Sequence, residues 1–494
     1  MSNRSDSKAA IYLLLFTFLA SFVMVSSSPL INLAGIDSGV FVTAGRGVAS
    51  GKIMYKELFD HKALYLYFIN ALGALISMKS LIGIWLLEVL FMFVNAIIAR
   101  KIYQQFYPDG KGDLLAAELV VLLALNPETL QGGNLTENYT LPFQFLSIYL
   151  VIKYLKSGEV KHSPLIMFVH GLNVACSMNM RPNHVLMWGP IALLILARLI
   201  YHKEYKNILQ NLLSGLAGVF VGCLPAIYYA VANDAVYDVL FGTFLYNFLY
   251  IGVNPHGFVY NFFLSIFVCP HVLLVMIPLL ISCFIVYFRK NIYNRLYYFF
   301  ILFGACCMVS VSGYRMGHYY EYLVPFALPI VFEIANFITA KNFTGKFQTA
   351  MIALIIIYTG LTYMTLHDMF PGHKSNRVKT RESHAAIFAA NRKYYGDDVS
   401  NEKVISISGG SYIAIGVIPH QKYYYTPANP YEAFPDAVDA QAKSILSGEN
   451  DVIFWGKYTE SIFAPTGKLD EIKNVLATSY DIILEGSQIY GKKK

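Results

Sequence analysis

Charge is scarce in this 494-residue chain, where Asp, Glu, Lys and Arg together make up 14% of the residues, against about 25% in soluble globular proteins. A soluble fold is thereby excluded. Cysteine is scarce too. The six thiols, Cys176, Cys223, Cys269, Cys283, Cys306 and Cys307, all fall inside apolar stretches, and none follows residue 367. They lack metal-ligand spacing, so they read as small core residues, and neither a disulfide framework nor a zinc site is expected. A phosphate loop is missing as well: Gly409-Gly410 follows a strand-like run without the further glycines or the Lys-Ser/Thr that would cradle phosphates, and reads as a turn. Internal repeats and low-complexity segments are absent. The net charge of +7 does not indicate nucleic acid, because the Lys and Arg are scattered among short loops and form no basic face.

What the chain has is apolar length. It is 56% hydrophobic with a mean hydropathy of +0.48, gathered into blocks long enough to cross a hydrocarbon core of about 30 Å. Aromatic residues make up 15%, much of it Tyr, which suits the boundary between lipid and water. The first block, Ala9 to Ser28, follows Arg4 and Lys8 with no small-residue cleavage site, so it is expected to remain as a first span.

Loops must alternate sides, and Lys and Arg favour the cytoplasmic side. The basic loops Arg100 to Lys111, Lys153 to His162, Tyr201 to Lys206, Arg289 to Arg295 and Lys341 to Lys346 are assigned inside. Asn126 to Thr140, Arg181 to His184, Asn233 to Gly257 and Ser312 to Tyr320 are assigned outside. The alternation holds if Leu81 to Ala99 is the second span and Lys62 to Met78 lies along the outer surface. The expectation is an α-helical polytopic membrane protein of about eleven spans in the plasma membrane, with a cytoplasmic N-terminus. Residues 1–366 form the membrane domain, with an outer loop at 29–80, and 367–494 form a small extracytoplasmic α/β domain. In that domain Val404 to Ser408, Val452 to Trp455 and Asp481 to Leu484 read as strands, and Ser383 to Arg392 and Leu469 to Ala477 as helices.

Chemistry is sought among ionisable residues near the outer ends of the spans, because charge beside hydrocarbon is kept only with a partner or a purpose. Asp37, about nine residues beyond the first span, reads either as a general base for an acceptor hydroxyl or as the N-cap of the following helix. Arg46, Tyr55 and His61 are further candidates in the same loop. Lys62 reads as a phosphate ligand or a snorkelling anchor, and Arg181 with His184 carries the same two readings. Of the carboxylates Glu128 and Glu137, the second lies just before the next span and is preferred for a site. The run Gly313-Tyr314-Arg315-Met316-Gly317-His318-Tyr319-Tyr320 sets a guanidinium, an imidazole and several phenols at one helix entrance. It suits phosphate recognition, or an aromatic belt with one snorkelling Arg.

An early outer-loop Asp, Gly-x-x-x-Tyr (Gly51 to Tyr55), Phe59-Asp60-His61-Lys62 before an aromatic-apolar helix, and a later His318-Tyr319 run reaching Pro325 together resemble the GT-C type membrane glycosyltransferases. Bacterial relatives of the protein O-mannosyltransferases and the lipid A aminoarabinose transferase are the nearest group, and the resemblance spans most of the chain. It implies inverting transfer of a hexosyl or pentosyl group from a polyprenyl-phosphate-linked sugar to an extracytoplasmic glycan, lipid or protein. Membrane lipid is the other partner, and nucleic acid has no part. By this resemblance Asp37 matches the family's catalytic-loop acid, Lys62 the Lys of its Lys-Pro-Pro-Leu element, and Glu137 a second acid. Asp37-Ser38 stands where the family often has Asp-Glu, and Lys62-Ala63-Leu64 lacks the prolines, so no metal is assigned and none is implied by paired carboxylates. Asp37, Lys62, Glu137, Arg181, Arg315 and His318 are expected to converge where the donor phosphate leaves the bilayer, with Tyr319 beside them. A transporter or flippase of a lipid-linked saccharide is the alternative; it calls for charges near mid-bilayer and broken helices in related halves.

Overall fold

In a computed structural model of the chain, the described residues are 2–252, 256–268, 272–288, 292–340, 376–397, 399, 401–407, 412–426, 431–456, 458–485 and 489–493. The inner loop expected at Lys341 to Lys346, the last expected span after it, Cys269 and Gly409-Gly410 lie outside them. Among the described residues, five helices are long and apolar enough to cross a membrane: Asp6–Met24, Ile82–Phe106, Pro182–Tyr201, Tyr205–Ala232 and Gly317–Thr339. Shorter apolar helices accompany them, including Pro164–Met178, Leu273–Phe288 and Asn294–Ser310. The chain is an α-helical, multi-pass membrane protein with a small C-terminal sheet, and it divides into two compact units.

The first unit comprises Met1–Ile31, Trp85–Ile227 and His256–Phe370. Its core is apolar and aromatic, with Val120, Tyr103, Leu141, Phe145, Tyr320, Tyr322 and Leu323 sealed from solvent. The helix Tyr205–Ala232 keeps Leu209, Leu212, Leu213, Leu216 and Phe220 more than half exposed, as expected of a face that meets lipid instead of water. Its other face meets Pro164–Met178 through small residues. A Cβ at Gly218 would lie 2.1 Å from the carbonyl oxygen of Phe168, and one at Gly171 would lie 2.2 Å from that of Gly215. Two backbones approach this closely only where side chains are missing, the usual device for packing helices in lipid. One end of the same pair is tied by polar contacts. The His162 amide donates to Asn207 Oδ1 at 2.8 Å, and the side-chain amides of Asn207 and Asn211 return bonds to the His162 carbonyl. In the helix Ile82–Phe106, Arg100 pairs with Asp113 at 2.7 Å and with Asp6 at 3.1 Å.

The second unit comprises Asn32–Ile84, Tyr228–Pro255 and Pro371–Lys494. Two short helices, Ile36–Ala49 of 14 residues and Leu64–Ile76 of 13, pack against each other so closely that a Cβ at Gly45 would fall 2.4 Å from Asn70 Cβ. At 1.5 Å per residue each is about 20 Å long, short of the roughly 30 Å needed to span the hydrocarbon. Four strands form the C-terminal sheet: β1 (Val404–Ser406), β2 (Val452–Phe454), β3 (Tyr480–Leu484) and β4 (Ile489–Lys492), in the order β1-β2-β4-β3. β1 and β2 run parallel, which requires a crossover, and the helix Pro435–Leu446 lies in that connection. β4 pairs antiparallel with both β2 and β3. Three strands coincide with expected runs; β4 adds a fourth, in a segment that has only two apolar residues to signal it. The sheet's core is Ile405, Ile453, Trp455, Val438, Ile445, Phe463, Ile472 and Leu476.

Because the contact at Gly218 is backbone on backbone, Gly218→Leu should lower stability by about 1–3 kcal/mol, read as an earlier thermal transition of the purified protein in detergent.

Candidate functional site

In the first unit, an eleven-residue 3-10 segment, Gly317–Ala327, carries much of the relevant chemistry. Such segments seldom run beyond four residues, and in them side chains three apart eclipse. Tyr319 and Tyr322 therefore share one face, and His318 and Glu321 another. Across from the first face sits Glu137, 1% exposed, one residue into the helix Thr136–Ser157. Glu137 Oε1 accepts from the Tyr322 hydroxyl at 2.9 Å and lies 3.5 Å from Arg181 Nη1. Arg181 Nη2 donates to the Tyr319 hydroxyl at 3.1 Å, and its guanidinium lies 4.7 Å from the Tyr319 ring centroid. His184, wholly buried, contacts the Tyr322 hydroxyl through Nε2 and Thr140 Oγ1 through Nδ1 at 2.7 Å. On the other face, His318 Nδ1 is 2.9 Å from Gln131 Oε1, and Asn138 Nδ2 donates to Glu321 Oε2 at 2.5 Å.

Of the five candidates in this unit, Glu137, Arg181 and Tyr319 are joined by direct contacts, with His318 packed edge-on against Tyr319 at 4.5 Å. Arg315 stands apart. It is exposed and donates to the Val268 carbonyl at 3.3 Å. Glu128 is engaged structurally, accepting the Leu274 amide at 2.8 Å. Glu88, inside the span Ile82–Phe106, holds the Asn134 turn by accepting its amide at 2.5 Å and a bond from the Ser27 hydroxyl.

The second unit holds the other five candidates. Asp37 is the second residue of the helix Ile36–Ala49, whose N-cap is Gly35, so the N-cap reading does not apply to it. Its side chain is exposed and makes no hydrogen bond or ion pair with a described residue. Arg46, in the last turn of the same helix, is 8% exposed and is likewise without a partner among the described residues. A guanidinium taken out of water without a counter-ion is costly.

Tyr55, His61 and Lys62 belong to one network centred on Asp60, which has no solvent exposure. Asp60 Oδ2 accepts the Tyr67 hydroxyl at 2.7 Å, while Oδ1 accepts the His61 amide at 2.7 Å and the hydroxyl of Tyr425. His61 Nδ1 lies 3.2 Å from Asp60 Oδ1, and His61 Nε2 lies 3.0 Å from Lys62 Nζ. The loop backbone is also tied: Asn247 Nδ2 donates to the His61 carbonyl at 2.8 Å, the Tyr55 hydroxyl donates to the Lys62 carbonyl, and Thr243 supports Tyr55 at 3.3 Å. Burial alone would raise the pKa of Asp60, but the charge of Lys62, the His61 contacts and the Tyr425 hydroxyl outweigh it and hold the carboxyl well below its ordinary range. Asp60, Tyr67 and Tyr425 were not among the residues expected from sequence. Asp60 had a signal, an acid wedged between Phe59 and a His-Lys pair, whereas Tyr425 had none, being one of three consecutive tyrosines. Among the described residues no group of three or more His, Cys, Asp or Glu is placed to hold a metal ion.

The family model described as the putative competence-induced protein Ccs4 N-terminal domain matches residues 2–341. The chain belongs to that family. No curated protein matches. Among solved structures, this Ccs4-family chain is similar to ArnT from Cupriavidus metallidurans bound to undecaprenyl phosphate, at 12% identity and a TM-score of 0.62, covering 99% of this chain and 98% of that one. It is also similar to the apo state of the same protein, at 10% identity and a TM-score of 0.58, with the same coverage. The Ccs4-family chain thus shares the fold of ArnT over nearly its whole length.

Two measurements test the networks. Arg181→Ala leaves Glu137 buried without its cation and should cost about 3–5 kcal/mol, visible as a large drop in the unfolding temperature, while the double change Arg181→Ala with Glu137→Gln should recover part of it. For Asp60 the pKa is depressed in the folded state, so its stabilisation is present above the unfolded value of about pH 4 and is lost as pH falls below it. An unfolding temperature that drops between pH 5 and pH 3 should flatten in Asp60→Asn.

Proposed function

We propose that this chain is a membrane glycosyltransferase that moves a sugar from a polyprenyl-phosphate-linked donor to a hydroxyl of an extracytoplasmic glycan, lipid or protein, with inversion at the sugar. The observation that carries the reading is the fold, shared over nearly the whole of both chains with a protein whose crystal structure holds undecaprenyl phosphate. In this reading the N-terminus is cytoplasmic and the C-terminal domain lies outside.

The roles follow from chemistry. A base must reach an acceptor hydroxyl and have a free lone pair; Asp37 is an exposed carboxylate whose oxygens are not engaged by described residues, and it is the proposed base. Attack by that hydroxyl on the anomeric carbon breaks the bond to the phosphate oxygen, and negative charge gathers on the departing polyprenyl phosphate. Fixed cations stabilise that charge most where it develops. In the second unit Lys62, and Arg46, which has no partner among the described residues, supply cations. In the first unit the proposed cation is Arg181, oriented by Glu137 and Tyr319, with His318 and Arg315 as further donors of hydrogen bonds to phosphate. Inversion follows from a single displacement with one base.

Asp37→Asn should abolish sugar transfer from a purified polyprenyl-phosphate sugar while the protein inserts and unfolds as the wild type does. Full transfer by that variant would remove Asp37 from the base role, and a wild type that never transfers would overturn the enzyme reading.

A further inference from the structure

The buried carboxylate of Asp60 is reached by two phenols from very different places in the chain. Tyr67 is seven residues away on the next helix, but Tyr425 comes from 365 residues later. Tyr425 does not arrive alone. The Phe59 amide donates to the Lys422 carbonyl at 2.8 Å, Phe59 stacks on Phe434 at 5.7 Å and packs on Tyr423 at 5.4 Å, and the Tyr424 hydroxyl donates to the Val40 carbonyl at 3.2 Å. Ile418 comes against the Gly47 position, and Ile413 packs against the cluster of Ala34, Val42, Leu81 and Ile84. Residues 412–426 and 431–434 are therefore seated on the outer-loop helix and on the residues just ahead of Lys62, and the bond to Asp60 lies at the centre of that contact.

A flexible Lys loses rotamer freedom each time it grips a phosphate, so whatever already holds its neighbours strengthens the grip. Asp60 accepts the His61 amide and lies 3.2 Å from the ring Nδ1, and the far nitrogen of that ring meets Lys62 Nζ. The chain of contact runs Tyr425, Asp60, His61, Lys62. We infer that Tyr425 is a positioning residue for the donor-phosphate loop, so that the C-terminal domain is a working part of the donor site and not a separable appendage. This rests on the assignment of Lys62 to the donor phosphate.

The test uses the full chain in nanodiscs, with undecaprenyl phosphate as the probe. Tyr425→Phe removes one hydroxyl and keeps the ring. Its affinity for undecaprenyl phosphate should fall about tenfold, the order expected for one charge-assisted hydrogen bond acting through a ligand-binding group, while amide hydrogen exchange at residues 59–62 accelerates and the unfolding temperature holds. In a Lys62→Ala background the same change should weaken binding no further. Tyr67→Phe, which strips the other phenol from the same carboxylate, should behave alike and serves if Tyr425→Phe does not fold. Unchanged exchange in the loop, wild-type affinity, or an equal loss with and without Lys62 would overturn the inference while leaving the donor reading intact. A wild type that binds no undecaprenyl phosphate, but whose loop exchange still responds to Tyr425→Phe, would sink the donor reading and keep the positioning role.

Discussion

A charge withdrawn from water must find its compensation inside the protein, and that requirement organises the polar interior of this molecule. Asp60 meets it with a backbone amide, an imidazole and two phenols. Glu137 meets it with Arg181 and Tyr322. In each case the carboxylate acts as a nail through several elements: Asp60 joins the outer loop to a segment near the C-terminus, and Glu137 joins a helix start, a short inter-helix loop and the long 3-10 segment. Removing the charge releases all of them together, because each partner then has an unmet polar atom of its own.

Around these fixed points the packing is governed by a different rule. Lipid offers no hydrophobic drive between spans, so contact comes from close backbone approach. Gly171, Gly215 and Gly218 provide it in the first unit. Gly45 provides it between the paired short helices of the second, where any side chain would collide with Asn70. The apolar side chains of Tyr205–Ala232 are left to face outward. The two kinds of order are complementary: small residues set how near helices come, and buried carboxylates set which loops they hold.

Arg46 does not obey the first rule within its own unit, and that departure is informative. A buried guanidinium with no counter-ion among its described neighbours is held there at a desolvation cost. Asp37 shows the opposite state, an exposed carboxylate that no described residue engages, near the start of the same short helix, Ile36–Ala49.

The sequence by itself determined the solvent of this protein and much of its local structure. Apolar blocks without charge have to cross or line a membrane, and three of the four strands were legible because alternating and β-branched runs such as Val404 to Ser406 pack poorly as anything else. The loop motifs, at 37–62 and again at 318–325, carried the fold class, since each is short and local in sequence. Tertiary structure alone decided which acids are engaged. Glu128 and Glu137 look alike in sequence, yet one accepts a helix amide and the other a buried Arg, and Asp60 became central only through Tyr425. Hydrophobic periodicity records which face of an element is buried, but it holds no information about which residue hundreds of positions away will complete a hydrogen bond.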